Sequence, residues 1–259
     1  MRDFTLKAYK SLLVALESKG YFGMNFQDYL KNQADKFVIL RHDVDSKPEN
    51  ALITAAIERD AGVTASYYFR IVKKSYDENI IKQIAELGHE IGYHYEDLSL
   101  CNGNYESAVR HFILSLEKFR KIYPVNTICM HGSPFSKWDN RDLWKKYNYK
   151  DFGIIAEPYF DIDFNDVFYL TDTGRRWDGC GVSIRDKIAS KSQNNFDNLK
   201  FQSTVDIINS AQKGLLPDRI MINIHPQRWD DRFLPWAKEL VGQNIKNVVK
   251  KVIVRYLLK

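Results

Sequence analysis

Hydrophobic and polar positions along the chain follow two alternating regimes. Short apolar or β-branched runs occupy 37–45 (FVILRHDVD), 65–71 (ASYYFRI), 89–95 (HEIGYHY), 127–133 (TICMHGS), 151–156 (DFGIIA), 167–174 (VFYLTDTG) and 219–226 (RIMINIHP). Runs of this length and composition read as strands. Most segments between them repeat apolar residues at helical spacing, notably 49–61, 77–87, 104–122, 137–147 and 203–213. Strand and helix in alternation predict a mainly parallel sheet, open or closed into a barrel. An amphipathic helix precedes this core, in MRDFTLKAYKSLLVALESKG, and a basic amphipathic helix follows it within 231–259. For the latter, docking as a terminal helix is preferred over membrane contact. The stretch 175–202 has little periodicity and reads as a long excursion of the functional or disordered kind.

Composition narrows the picture. No repeat, low-complexity tract or linker divides the 259 residues, so one domain spanning 1–259 is expected, with a chemistry-bearing core at about 37–230. A hydrophobic fraction of 44% and a charged fraction of 27% are those of a globular protein. Lys and Arg are spread along the chain without the dense basic blocks of a nucleic-acid arm, and the net charge of +5 mildly favours acidic partners. Charges interrupt the first apolar stretch, so it is not a signal peptide, and no run approaches the ~18 apolar residues of a membrane span. Cys101, Cys129 and Cys180 are odd in number and widely spaced, against both a disulfide framework and a cysteine zinc site. A cytoplasmic protein is the simplest expectation.

The polar residues fall at one set of positions. Asp43, Asp45, His94, His131, Asp172 and His225 all lie at or just past the carboxyl ends of their predicted strands, the rim where parallel α/β folds gather ligands. Asp43 and Asp45 are two apart and share a strand face. Two adjacent carboxylates repel unless a cation lies between them or one holds a proton. One Asp could cap the next helix; that account does not cover two. Imidazoles beside a carboxylate suit Zn, Co, Fe or Ni. Taken singly, each histidine could be structural, and for His89, at the opposite end of its strand, and His111, inside a helix, that reading is adopted. Tyr93, Tyr95, Trp177 and Trp229 are placed near the rim, where they could stack on sugar rings. Arg175 and Arg176 could meet a phosphate, although a solvated loop is the preferred reading.

These motifs resemble the polysaccharide deacetylase family, the NodB-homology group of metal-dependent carbohydrate esterases, from about residue 37 to about residue 230. "HDVD" is similar to the family's first motif, which implies Asp43 as catalytic base and Asp45 as metal ligand. "GHEIGYH" is similar to the second and implies His94 as a metal ligand, and "IMINIH" implies His225 as general acid. Two positions depart from the pattern. The family's second metal histidine, four residues after the first, is Leu98 here, and "MHGSP" presents His131 where the family has an Arg before a Pro. The third ligand is then open among His131, ranked first, Glu96 and Asp97.

The resemblance implies an irregular (β/α) barrel of about seven parallel strands. It also implies a divalent metal, most readily Zn with Co, Ni or Fe as alternatives, and hydrolysis of an N-acetyl group on a sugar or glycan precursor. Arg175, Trp177 and Trp229 are the expected substrate contacts. Hydrolysis of a cyclic imide or ureide on the same scaffold, and a degenerate carbohydrate-binding protein lacking catalysis, are the rival readings.

Overall fold

A computed structural model describes residues 2–31, 34–134, 136–177, 196 and 198–257, with side chains to residue 250. Among them are strands β1 (Phe22–Met24), β2 (Phe37–Val44), β3 (Ser66–Phe69), β4 (Glu90–Tyr95), β5 (Ile128–Met130), β6 (Phe168–Thr171) and β7 (Arg219–Ile224). The helices are α1 (Leu6–Glu17), α2 (Phe26–Lys31), α3 (Pro48–Asp60), α4 (Glu78–Glu86), α5 (Asp97–Leu100), α6 (Tyr105–Arg120), α7 (Pro158–Asp161), α8 (Thr204–Gln212) and α9 (Phe233–Leu257). Their starts are written locally. Asp77 caps α4 through the amides of Asn79 and Ile80, and Ser203 and Asp206 form a capping box at α8.

Every pairing is parallel, in the order β5-β4-β3-β2-β7-β6, and β1 joins the sheet beside β2. β1 pairs with the first half of β2 and β3 with the second half, so two strands share one edge. The sheet thus curves into an irregular half-barrel of seven parallel strands, left open between β5 and β6. One expectation needs correction. The run 151–156 is not a strand: Tyr149–Phe152 is a 3-10 turn, ended by Gly153 at φ +71°, and Ala156 makes a lone bridge to Thr127. β1, too short to show periodicity, takes its place in the count. Most of the 175–202 excursion (178–195 and 197), with Cys180, lies outside the described residues.

β2 is buried along its whole length, and its period of two sorts its side chains. Val38, Leu40 and Val44 join the larger core beneath the helices, whereas Phe37 and Ile39 line the barrel interior with Met24, Tyr169 and Met221. Arg41 and Asp43 continue the interior row toward the carboxyl end. The interior is apolar at the bottom and polar at the top. Gly92 in β4 permits this filling, since a Cβ there would lie 2.3 Å from the Tyr68 ring.

Candidate metal centre

The strand ends bring Asp45, His94 and His131 together: one donor atom from each lies within 4.8 Å of the others. His94 stands near the end of β4, and its Nδ1–H donates to the Cys129 carbonyl at 2.9 Å. A carbonyl only accepts, so the bond fixes the tautomer and turns the bare Nε2 into the cluster, 3.8 Å from Asp43 Oδ2 and 3.8 Å from Asp45 Oδ1. Burial drives the His94 pKa down to about 4, which keeps the imidazole neutral and able to coordinate.

His131 follows β5. Its Nδ1 is bonded to Glu96 Oε2 at 2.9 Å, and its Nε2 lies 3.3 Å from Asp45 Oδ1. Burial alone would lower its pKa, but the Asp45 and Glu96 carboxylates outweigh it and raise the value to about 8. Glu96 is itself clamped by Arg70, through contacts of 2.6 to 2.8 Å. The positive charges of His131 and Arg70 overcome its burial and hold its pKa at about 2. Glu96 therefore orients His131 and does not face the cluster itself. Asp97 points elsewhere, accepting from the Tyr93 hydroxyl at 3.0 Å and pairing with His111. Leu98 is fully buried in the core.

Whether the residues suit a divalent cation turns on Asp45. Its Oδ1 is buried with no hydrogen-bond partner, the approach to His131 being electrostatic without hydrogen-bond geometry. An orphaned carboxylate oxygen facing two imidazole nitrogens is a costly arrangement by itself, and a cation would satisfy it. Two nitrogens and one oxygen form a donor set suited to zinc and its neighbours. Asp43, His94 and Cys129 also lie within ligand distance of one another. That group fits less well, because Asp43 is already engaged by a buried guanidinium.

Arg41 supplies that guanidinium. Its Nε donates to Asp43 Oδ1 at 2.8 Å and its Nη2 to Oδ2 at 2.6 Å, and Asn223 Nδ2 adds a bond to Oδ2 at 3.1 Å. Burial would raise the Asp43 pKa, but Arg41 overcomes it and holds the carboxyl below its ordinary range. Arg41 and Asp43 both stand on β2. The spacing of 41 and 43 on one strand was the available signal for it.

His225 stands on the other side of the cluster, with Nε2 4.0 Å from Asp45 Oδ2. Asp172, past the end of β6, holds it twice, through Nδ1 at 2.6 Å and through the backbone amide at 3.1 Å. Arg228 and the Trp229 indole also converge on Asp172, which is buried and kept ionised chiefly by Arg228.

The expected aromatic contacts are overturned. Trp229 is fully buried and packs against Phe4 and Tyr9. Trp177 is buried beside Phe4 and bonds Thr204 through its indole nitrogen. Arg175 is buried under α9, donating to the Trp236 carbonyl at 2.8 Å. Tyr93 and Tyr95 are likewise in the core. Aromatic spacing near a strand end does not tell an open platform from a packed layer, and here packing prevails.

No family model and no curated protein matches the chain. Among solved structures it is similar to the Xyl-CE4 domain of a multidomain xylanase from the hindgut metagenome of Trinervitermes trinervoides. The identity is 13% and the TM-score 0.40, over 85% of this chain and 82% of that one. It is also similar to 2,3-dimethylmalate lyase, a PEP mutase/isocitrate lyase superfamily member, at 11% identity and TM-score 0.30, over 99% and 89%. Likenesses this distant leave function to be read from the residues.

Proposed function

We propose that the chain is a divalent-metal-dependent hydrolase that cleaves the amide of an N-acetylated sugar or glycan precursor. The observation that supports it most is the convergence of Asp45, His94 and His131 around a buried carboxylate oxygen without a partner, with Asp43 on one side and His225 on the other. The sugar rests on the resemblance of "HDVD", "GHEIGYH" and "IMINIH" to the deacetylase motifs.

A divalent cation held by Asp45, His94 and His131, zinc by donor set, supplies polarisation of the acyl carbonyl and a more acidic water. The protein's own groups do the rest. Asp43, oriented by the two bonds from Arg41, takes the proton of the attacking water; its ionised state persists through the neutral range because its pKa is lowered. His225, fixed through Nδ1 by Asp172, presents Nε2 to the site and protonates the departing amine. Glu96 and the Cys129 carbonyl hold the two ligand imidazoles in register.

The test is a substrate panel read by acetate release, with and without a chelator. Chelator-sensitive acetate release from N-acetylated sugars is expected. Turnover of cyclic imides or ureides alone would move the reading to that rival, and turnover of neither would remove the hydrolase assignment.

A further inference from the structure

Helix α9 is turned the wrong way for a helix that ends its work at the protein surface. The side it lays on the body is polar: Gln243 and Asn247 are 7% and 6% exposed, and Asn247 Nδ2 donates to the Gly174 carbonyl at 2.8 Å. The side it shows to solvent is apolar. Leu234, Val241, Ile245 and Val248 follow at spacings of seven, four and three, which places them on one stripe. Ile245 is 62% exposed and Val248 63%, with Val249 alongside.

Charge says what covers that stripe. From 233 onward the sequence holds six cations (Lys238, Lys246, Lys250, Lys251, Arg255, Lys259) against Glu239 alone. That is a net +5, the net charge of the whole chain, so the other 232 residues carry 32 charges of each sign. Lys238 is exposed within the stripe and Lys246 beside it. At the amino end of the helix, Arg2 lies over the Phe233 and Trp236 rings; in the hollow beside Leu234, Arg232 is paired with Asp230 at 2.7 Å and Lys47 with Glu239 at 3.7 Å, which leaves Lys238 as the cation without an acidic partner among the lining residues. Pairing with a second copy would press two helices of like charge together, with Lys238 in the seam itself. An anionic lipid surface receives the same face without that repulsion: aliphatic side chains enter the acyl boundary while lysines reach the headgroups. No described helix is long and apolar enough to cross a membrane, so α9 would lie in the surface plane.

We propose that the outward face of α9 seats this protein on an anionic membrane surface. This inference is independent of the reading of the metal centre.

Full-length protein is sedimented with phosphatidylglycerol-containing vesicles and with pure phosphatidylcholine vesicles. Binding to the anionic vesicles alone is expected, weakening as salt rises from about 0.1 M to about 0.5 M. Lys238→Gln with Lys246→Gln lowers the affinity roughly fivefold per lysine. Ile245→Ser with Val248→Ser lowers it roughly a hundredfold. Both pairs sit on the exposed face, and unchanged circular dichroism melting checks that the fold is kept. Absence of binding, equal binding to neutral vesicles, or binding untouched by either pair overturns the proposal. So does a dimer in sedimentation equilibrium that Ile245→Ser with Val248→Ser dissociates, since it assigns the face to a second copy.

Discussion

Two groups of carboxylates and imidazoles are built on the same strand, and they differ in what is left over. On the helix side of β2, Glu58 from α3 accepts from the hydroxyls of Tyr9 and Tyr67 and pairs with His42. His42 stacks on Tyr67 with ring centroids 4.2 Å apart, and His89 accepts from the Ala65 amide at 3.1 Å while its other nitrogen meets the Ala55 carbonyl. Both Glu58 oxygens are used and the charge is spent on packing, with His42 Nδ1 the loose end. On the barrel side, every second bond points away from the centre. His94, His131 and His225 are each held through Nδ1 by a group outside the cluster, and their Nε2 atoms face inward on Asp45. Residue type does not separate the two groups. Convergence does: the lone His42 Nδ1 faces no second donor among the described residues, whereas on the barrel side three Nε2 atoms and the partnerless Asp45 Oδ1 gather at one place, and that is what a ligand can use.

The sharpest way to break the comparison is to neutralise one carboxylate in each group. Asp43→Asn keeps the shape and removes the proton acceptor, so hydrolysis should fall by ~10²–10⁴ while metal content stays close to the parent, with a lower melting temperature because buried Arg41 loses its counter-charge. Undiminished turnover would take the base away from Asp43. Glu58→Ala should do the reverse. It strands two tyrosine hydroxyls and His42 in the core, for a loss of roughly 3–5 kcal/mol in denaturant unfolding, with metal affinity of the folded fraction unchanged. A stable variant with lost metal would merge the two groups into one.

A third carboxylate belongs to neither group. Glu157 accepts from the amides of Met130 and Tyr159, tying β5 to α7, and burial raises its pKa to about 7. Folded protein therefore keeps a proton that the unfolded chain has already lost. Stability contributed below the ordinary glutamate range is given up as pH rises toward 7, by about 3 kcal/mol between acid and mildly alkaline solution. Glu157→Gln should flatten that slope in unfolding curves taken at both ends of the range. The same slope in the variant would place its origin elsewhere. A smaller effect is expected at His225: replacement by Ala should lower kcat by about 10² with little change in KM, because amine protonation belongs to the transition state. A rise in KM alone would make it a binding residue.

The sequence was informative where chemistry coincides with periodicity. Asp43, Asp45, His94, His131 and His225 each end or follow an apolar run, and parallel topology carries such ends to one rim. Arg41 was passed over although it stands two residues before its partner on the same strand, and Asp172, placed at the rim, had no role assigned because its bond to His225 spans 53 residues. Trp177, Trp229 and Arg175 were misjudged for the opposite reason. Burial is a property of what the chain ends bring over them: Phe4, just before α1, covers Trp177 and Trp229, and Trp236 of α9 covers Arg175, and in each case the covering residue is more than 50 positions away. The run 151–156 failed on Gly153, whose positive φ turns the chain before a strand can form.

The measurement that bears most directly on the metal centre is elemental analysis of the protein purified without chelator. Close to one divalent metal per chain is expected, absent from Asp45→Ala and His94→Ala and reduced in His131→Ala. A metal-free protein that takes up no Zn, Co or Ni on titration would contradict the account.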